Sequence, residues 1–511
     1  MKSYTSSVIF SSSLTGYLQK GIQFIVSIVS LPLIISSLGK EQYGILVLIG
    51  QTVGFLAMSD IGVSNSVGRF ISKYIVLNKS EKVKEVIHTA FYLLLIAAVI
   101  ITLITLSFFN WIPNWLNISE EYSDIAKLLF VINGFFLALM FPTRIGQGIL
   151  SGKQLYWIIN LVSSVAAILQ LTGVIILSQL NILGLIELAF LMLGVNLLSQ
   201  LIIIGIAWRG TPSFTFTKMR FSILMAKRIL SLGSSSFLIS FSGILVSQGL
   251  IIALGVLTNT ITAGIFGVVM MVMTNISFLL TKITQPMVTL SSELSAKKEY
   301  EKLNKLILFL MRLSLVISFL FSVSLFFYIE DLLKILLTVN WTDQDYNDAS
   351  LSIIIMSFAV TIGIPQFVSR AVLLGVGIHW RASLGKTIAS VIAFVTGVLL
   401  MWLNYGLLGA SIGWSLIWIL PGIFYFPILI SKFMKIKFIE IFKVVYIPGI
   451  FISLILFFIG FILKEYLTEP SLLNILIGEI ILVIITVILF LLYQKRLTSN
   501  INYKELIFKS K

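Results

Sequence analysis

Residues 69–111 read RFISKYIVLNKSEKVKEVIHTAFYLLLIAAVIITLITLSFFNW. The cations Arg69, Lys73, Lys79, Lys82 and Lys84 crowd the first half, and from Val86 to Trp111 there is no Asp, Glu, Lys or Arg. A hydrocarbon core about 30 Å thick needs roughly 20 apolar residues of helix to cross it. The second half supplies that run. Lys and Arg collect in loops that stay cytoplasmic, so the first half gives the crossing its direction.

The same alternation continues through the chain. About fourteen apolar runs are each long enough to span a bilayer: 8–37, 43–68, 86–110, 123–150, 156–178, 183–208, 229–256, 263–289, 305–328, 349–375, 383–403, 406–431, 444–463 and 472–494. With the N-terminus inside, the connections 69–85, 144–155, 209–228, 297–305, 370–386 and 432–443, with the tail from Lys495, take most of the 36 Lys and Arg. The outer connections hold only Lys40, Lys334 and Lys464. Losing or gaining one span would put several basic loops on the wrong side. Fourteen spans with both ends cytoplasmic is the consistent reading. The runs are continuous, without the dyad alternation of barrel strands, so they read as helices. The expected fold is an all-α polytopic membrane protein.

Composition agrees. With 58% hydrophobic and 11% charged residues and a mean hydropathy of +1.05, a soluble domain of 511 residues is excluded. The net charge of +15 follows from the cytoplasmic loops, so no nucleic-acid partner is expected. The absence of cysteine excludes disulfides, Cys-ligated metals and thiol nucleophiles. His88 and His379 are far apart, without metal-ligand spacing, and no P-loop is present. No cofactor, metal or catalytic residue is expected, and the chain does not read as an enzyme. Met1 to Ser13 lacks a small-residue cleavage pattern, so no cleaved signal peptide is expected. Segment 209–228 mixes Met219, Phe221, Leu224 and Met225 with its cations. An interfacial helix and a solvated basic loop both fit it.

An internal repeat is visible. Pro142, Gly152 and Trp157 are matched by Pro365, Gly375 and Trp380 at an offset of 223 residues. Tyr43-Gly44-Ile45 and Ala263-Gly264-Ile265 open the second and eighth spans at an offset of 220. An even number of spans keeps both copies in one orientation, which makes a parallel repeat of the kind some transporters use. The expectation is two six-helix bundles, 1–208 and 209–431, facing each other across a cavity. Residues 432–511 would add two helices and a cytoplasmic tail.

Ionisable residues inside the bilayer cost about 2.5–3.5 kcal/mol each on insertion scales, so each requires an explanation. Lys20, Lys282 and Arg312 fall within spans and form a candidate cationic set lining the cavity. Snorkelling to the inner headgroups is the competing reading for each. Lys127, one turn from Asp124, reads as a local pair. Asp60 in Ser59-Asp60-Ile61-Gly62 and Glu479 in the last span are candidates for ion coupling. A cationic, water-filled cavity suits an anionic substrate such as a phosphate or pyrophosphate head.

The segment Leu38-Gly39-Lys40-Glu41-Gln42-Tyr43-Gly44, then Ser59-Asp60-Ile61-Gly62 and Arg69, resembles the opening of polysaccharide transporter family flippases. The run Tyr405-Gly406-Leu407-Leu408-Gly409-Ala410-Ser411-Ile412-Gly413 is similar to that family's twelfth-span opening. Their superfamily also holds the multidrug and toxin extrusion transporters and the lipid-linked peptidoglycan precursor flippases. The resemblance implies a V-shaped pair of six-helix lobes. It also implies translocation of undecaprenyl-pyrophosphate-linked oligosaccharide units across a bacterial cytoplasmic membrane, for O-antigen, capsule or a similar polymer. The implied partners are that polyprenyl-linked oligosaccharide, membrane lipids, a glycan polymerase and a chain-length regulator. Lys20, Lys282 and Arg312 would then meet the pyrophosphate or acidic sugars. A small-molecule exporter of the same superfamily stays open, as does a membrane-embedded glycan polymerase or acyltransferase. The short outer loops and separated histidines count against the last.

Overall fold

In lipid, a spanning segment must satisfy its backbone hydrogen bonds internally, and the apolar runs do so as helices. The structure, a computed structural model, describes residues 2–60, 62–211, 221–282, 284, 287–337, 341–434, 436–467 and 471–498. No strand occurs among the described residues. Among the described residues, twelve stretches of helix are long and apolar enough to cross a membrane, where the sequence reading expects fourteen.

Two of these stretches are unusually long. Leu14–Asp60 runs for 47 residues and Trp380–Met434 for 55. At 1.5 Å per residue these would reach roughly 70 and 80 Å, more than twice the hydrocarbon thickness. Each contains a break where the backbone turns left-handed. In the first, Gly39 has φ 74°. In the second, Asn404 has φ 66° and Gly406 φ 44°. Glycine adopts such angles without a Cβ clash, and asparagine tolerates them better than most residues.

The helices gather into two compact units, Met1–Gly267 and Val268–Lys511. In the first, helix Lys2–Leu56 packs along Tyr156–Gln179, and Ser123–Gly152 packs between Ser80–Phe108 and Leu185–Arg209. The short helix Val63–Val76 lies against Ser123–Gly152. Its approach is close: a Cβ on Gly152 would sit 2.8 Å from the Gly68 carbonyl oxygen. The core around this crossing holds Val67, Ile71, Phe141, Ile145 and Ile149, all fully buried. The repeat landmarks Gly44 and Gly264 also touch in this unit, a Cβ on Gly264 falling 2.9 Å from the Gly44 Cα. Small residues let membrane helices approach closely enough for dispersion to hold them.

In the second unit, helix Tyr300–Leu336 packs against Asp343–Gly363. Thr361 and two serines bond these helices in the interior. Ser318 Oγ and Ser322 Oγ lie 2.8 and 2.6 Å from Thr361 Oγ1. Asp343–Gly363 starts on a capping box, in which Thr342 Oγ1 accepts from Asp345 N–H and the Asp345 carboxylate accepts from Thr342 N–H. The last helices, Ile447–Tyr466 and Leu472–Thr498, pack on Tyr300–Leu336 through Val316, Val323, Tyr328, Leu456 and Leu482. Their other faces leave Phe451, Phe458 and Leu491 exposed, at 66%, 66% and 60%. Apolar exposure on that scale suits a lipid solvent.

Of the basic-aromatic segment 209–228, residues 212–220 with Met219 lie outside the described residues, while Leu224 and Met225 lie in the first turn of helix Ile223–Ser247. The tail beyond 498 also lies outside the described residues.

Candidate functional site

Asp60 closes a 3-10 turn, Ala57–Asp60, where the second apolar run kinks. Gly62 follows at φ 71° and starts helix Val63–Val76. Asp60 Oδ1 accepts from Ser64 N–H at 3.1 Å, so the carboxylate caps that helix's positive end. Its other oxygen lies 3.9 Å from Arg144 Nη1, the two side chains being 19% and 25% exposed. The Arg144 guanidinium in turn sits 4.4 Å from the centre of the Phe141 ring. Asp60 is therefore a charge-compensated acid that fixes a helix break. Arg144 escapes the sequence reading because the inner connection 144–155 takes it as a loop cation. It lies inside the continuous helix Ser123–Gly152.

Lys20 is exposed on helix Lys2–Leu56, and its Nζ donates to Gln23 Oε1 at 2.8 Å. One turn earlier, Asn160 Nδ2 donates to Thr15 Oγ1 at 3.1 Å. This stretch of the first helix is thus polar on two positions of its surface. Lys282 ends helix Thr260–Lys282, and its side chain lies outside the described residues. Arg312 is buried at 5% exposure in Tyr300–Leu336, its Nε donating to Leu308 O at 3.1 Å. Lys20 belongs to the first unit, Lys282 and Arg312 to the second.

Glu479 is half-buried on the last helix and accepts from Ser324 Oγ at 2.8 Å. Nearby, Lys464 of the preceding helix pairs with Asp331 on Tyr300–Leu336, and its Nζ lies 5.8 Å from the Tyr328 ring centre. A cavity of about 300 Å³ opens beside this pair, lined by Phe326, Ser350 and Ile354 among others. These contacts tie the last two helices to Tyr300–Leu336.

A further pair of cations stands out in the second unit. The sequence reading places Arg370 and Lys386 in an inner loop, yet Arg370 lies on helix Pro365–Gly375 and Lys386 on His379–Leu400. Lys386 Nζ is 6.0 Å from the centre of the Phe367 ring, one turn before Arg370 on the same helix. Lys386 lies within the electrostatic reach of Arg370. Phe367 is itself backed by Trp418, with ring centres 5.3 Å apart. Arg370 Nε is shielded from solvent without a hydrogen-bond partner. The signal for this pair was available as charge alone. What it lacked was the helix boundary: His379–Leu400 begins four residues before the expected span.

Among the described residues, no group of three or more His, Asp or Glu side chains is arranged to hold a metal ion.

Residues 13–176 match the MatE family model. A Shigella flexneri protein whose name assigns it, provisionally, to O-antigen transport is 30% identical over 156 residues. That alignment takes in 30% of this chain and 36% of the relative, so only about a third of the relative's length is spanned. Two solved structures share the fold. An inward-facing multidrug resistance MATE family transporter of the MOP superfamily has a TM-score of 0.68 at 15% identity, covering 82% of this chain and 96% of its own. The lipid II flippase MurJ, in an inward closed conformation, has a TM-score of 0.64 at 16% identity, covering 97% of this chain and 99% of its own.

Proposed function

From a chain whose residues 13–176 match the MatE family, in a multi-pass membrane protein with the MOP-superfamily transporter fold, we propose a flippase for polyprenyl-pyrophosphate-linked oligosaccharide units. The observation that carries this reading is extent. The likeness to the lipid II flippase takes in 97% of the chain, including the last two helices, against 82% for the multidrug transporter. The partial match to a protein named for O-antigen transport points the same way.

In this reading the chain crosses a bacterial inner membrane fourteen times with both ends cytoplasmic. Residues 1–208 and 209–431 form two rocking lobes, and 432–511 adds two helices. The pyrophosphate head enters from the inner leaflet while the polyprenyl tail stays in lipid. Lys20, Lys282 and Arg312 meet the acidic head, and an ion gradient acting through Asp60 or Glu479 gives direction. A glycan polymerase and a chain-length regulator would act on the exported unit.

The test is cellular. Replacing the gene's product by Lys20→Ala or Lys282→Ala variants should accumulate lipid-linked units on the inner face. Export at wild-type level from both variants removes those roles, and a deletion that leaves the units exported removes the reading itself. Topology is directly accessible because the chain has no cysteine of its own. Single cysteines at Lys40, Glu121 and Tyr405 should react with an impermeant maleimide from outside, and one at Lys79 should not. Protection of positions 40 and 405 would reduce the count to twelve.

The TM-score of 0.68 to the multidrug transporter favours a second reading, export of small molecules. Raised tolerance to cationic dyes on overexpression would select it.

A further inference from the structure

We propose that Arg370 and Lys386 form a binding site for a phosphate-bearing headgroup. The proposal rests on the flippase reading only for the identity of the lipid that fills the site. Helices Pro365–Gly375 and His379–Leu400 carry one cation each: Lys386 lies over the Phe367 ring, and Arg370, one turn after Phe367, is near enough for its charge to act on Lys386. No ion pair to either occurs among the described residues. The two charges therefore repel each other, whereas Arg144 faces Asp60 and Lys464 faces Asp331.

Arg370 adds a second, independent sign. Its Nε–H is out of reach of solvent and has no acceptor. A buried donor left unmade is costly and is found where a ligand or water completes it. A guanidinium offers a planar fork matched to phosphate oxygens, and an ammonium beside it adds a point charge. An anion bonded to both would remove the repulsion and satisfy the orphan donor at once. The wall behind the pair is aromatic, with Phe367 against Trp418 and Trp418 against Trp414 at 5.6 Å. Gln366 is held to that wall by its Nε2–H bond to Trp418 O at 3.3 Å.

The repeat indicates that folding does not demand these charges. At the offset of 223 residues, Arg370 corresponds to Gln147 and Lys386 to Ser163. The register is the structural one, because Gly152 packs on Gly68 and Gly375 packs on Ser291, also 223 residues on. Gln147 needs no charge: its Nε2–H bonds to Gln200 Oε1 at 3.1 Å. The same helix position is satisfied by an amide in one copy and carries a guanidinium with an unmade Nε–H bond in the other. The cation is an addition, and its open hydrogen bond is directed at something outside the chain.

The test uses the purified full chain in nanodiscs of phosphatidylcholine. Binding of farnesyl pyrophosphate, inorganic pyrophosphate and added phosphatidylglycerol is measured separately by native mass spectrometry and thermal shift. Wild type should bind at least one of these phosphates. Arg370→Gln, the residue of the other copy, and Lys386→Gln should each weaken it about tenfold or more, the size expected for a lost charged hydrogen bond. Arg370→Lys should fall between. Preference for farnesyl pyrophosphate identifies the transported class, preference for phosphatidylglycerol a resident lipid, and binding of pyrophosphate alone a free anion; each supports the site. Unchanged binding of all three probes by folded Arg370→Gln and Lys386→Gln overturns it, as does no binding by wild type. Because binding is read without export, failure of the flippase reading leaves this result standing, and the converse also holds.

Discussion

Removing the charge of Asp60 should destabilise the first unit by less than removing its side chain, and removing Arg144 as well should give part of the loss back. Asp60 does two jobs: one oxygen caps Ser64 N–H at 3.1 Å and the other faces Arg144 Nη1 at 3.9 Å. At that separation and an effective dielectric constant of about 20, the attraction is about 4 kcal/mol before desolvation. Both side chains are a fifth to a quarter exposed, and desolvation opposes the attraction, so a net coupling of about 1–3 kcal/mol is expected. Asp60→Asn keeps an acceptor for Ser64 but strands the guanidinium over Phe141. Arg144→Gln strands the carboxylate. Asp60→Ala loses the cap too, at a further cost of about 1 kcal/mol. Thermal unfolding in nanodiscs should therefore rank wild type first, then the double variant Asp60→Asn/Arg144→Gln above the sum of its singles, with Asp60→Ala below Asp60→Asn. Strict additivity would refute the pairing. Transport separates the ion-coupling role: if Asp60 carries it, export in the double variant stays uncoupled from the gradient although stability recovers.

Other contacts give simpler expectations. A Cβ on Gly422 would sit 2.5 Å from the Gly363 Cα, so Gly422→Val should lower the melting temperature through a displaced helix crossing worth about 1–3 kcal/mol; an unchanged melting curve would contradict that crossing. Thr361→Val removes the hydroxyl shared by Ser318 and Ser322, and should cost about 0.6–2 kcal/mol in the same assay. Lys464→Ala and Asp331→Ala should each loosen the last two helices and speed proteolysis of the 447–498 region, while the charge-reversed pair Asp331→Lys/Lys464→Asp restores protection; equal protection in all variants would show that apolar packing alone holds these helices.

How much of this was legible depends on what kind of information a position carries. The apolar runs were readable because solvent imposes their length and composition on every spanning helix at once. Breaks within them were readable only in part. Pro142 and Pro365 look alike in sequence, but Ser123–Gly152 runs unbroken through the first, while a helix ends at Gly363 and another begins at the second. The preceding residues differ in what the neighbouring helix allows, and that is tertiary information. A cation count assigns Arg144 to the inner connection 144–155, and the partner of Asp60 is missed with it. Arg370 and Lys386 were lost differently. Charge-count reasoning assigns cations near a span's end to the cytoplasm, and it is right for most of them. It cannot separate a cation that reaches headgroups from one turned against Phe367 a few residues further in.

The repeat supplies a sharper instrument than either rule. Gly152 on Gly68 and Gly375 on Ser291 are the same crossing built twice, so differences between the copies isolate what the fold does not require. Where both copies hold glycine or proline, packing explains the choice. Where one copy holds Gln147 bonded to Gln200 and the other holds Arg370 with an unmade bond, packing has been answered already by the amide. The residual charge then has to be accounted for by something that binds, and the asymmetry between two copies of one helix becomes a locator for function that no single-site burial or charge value supplies.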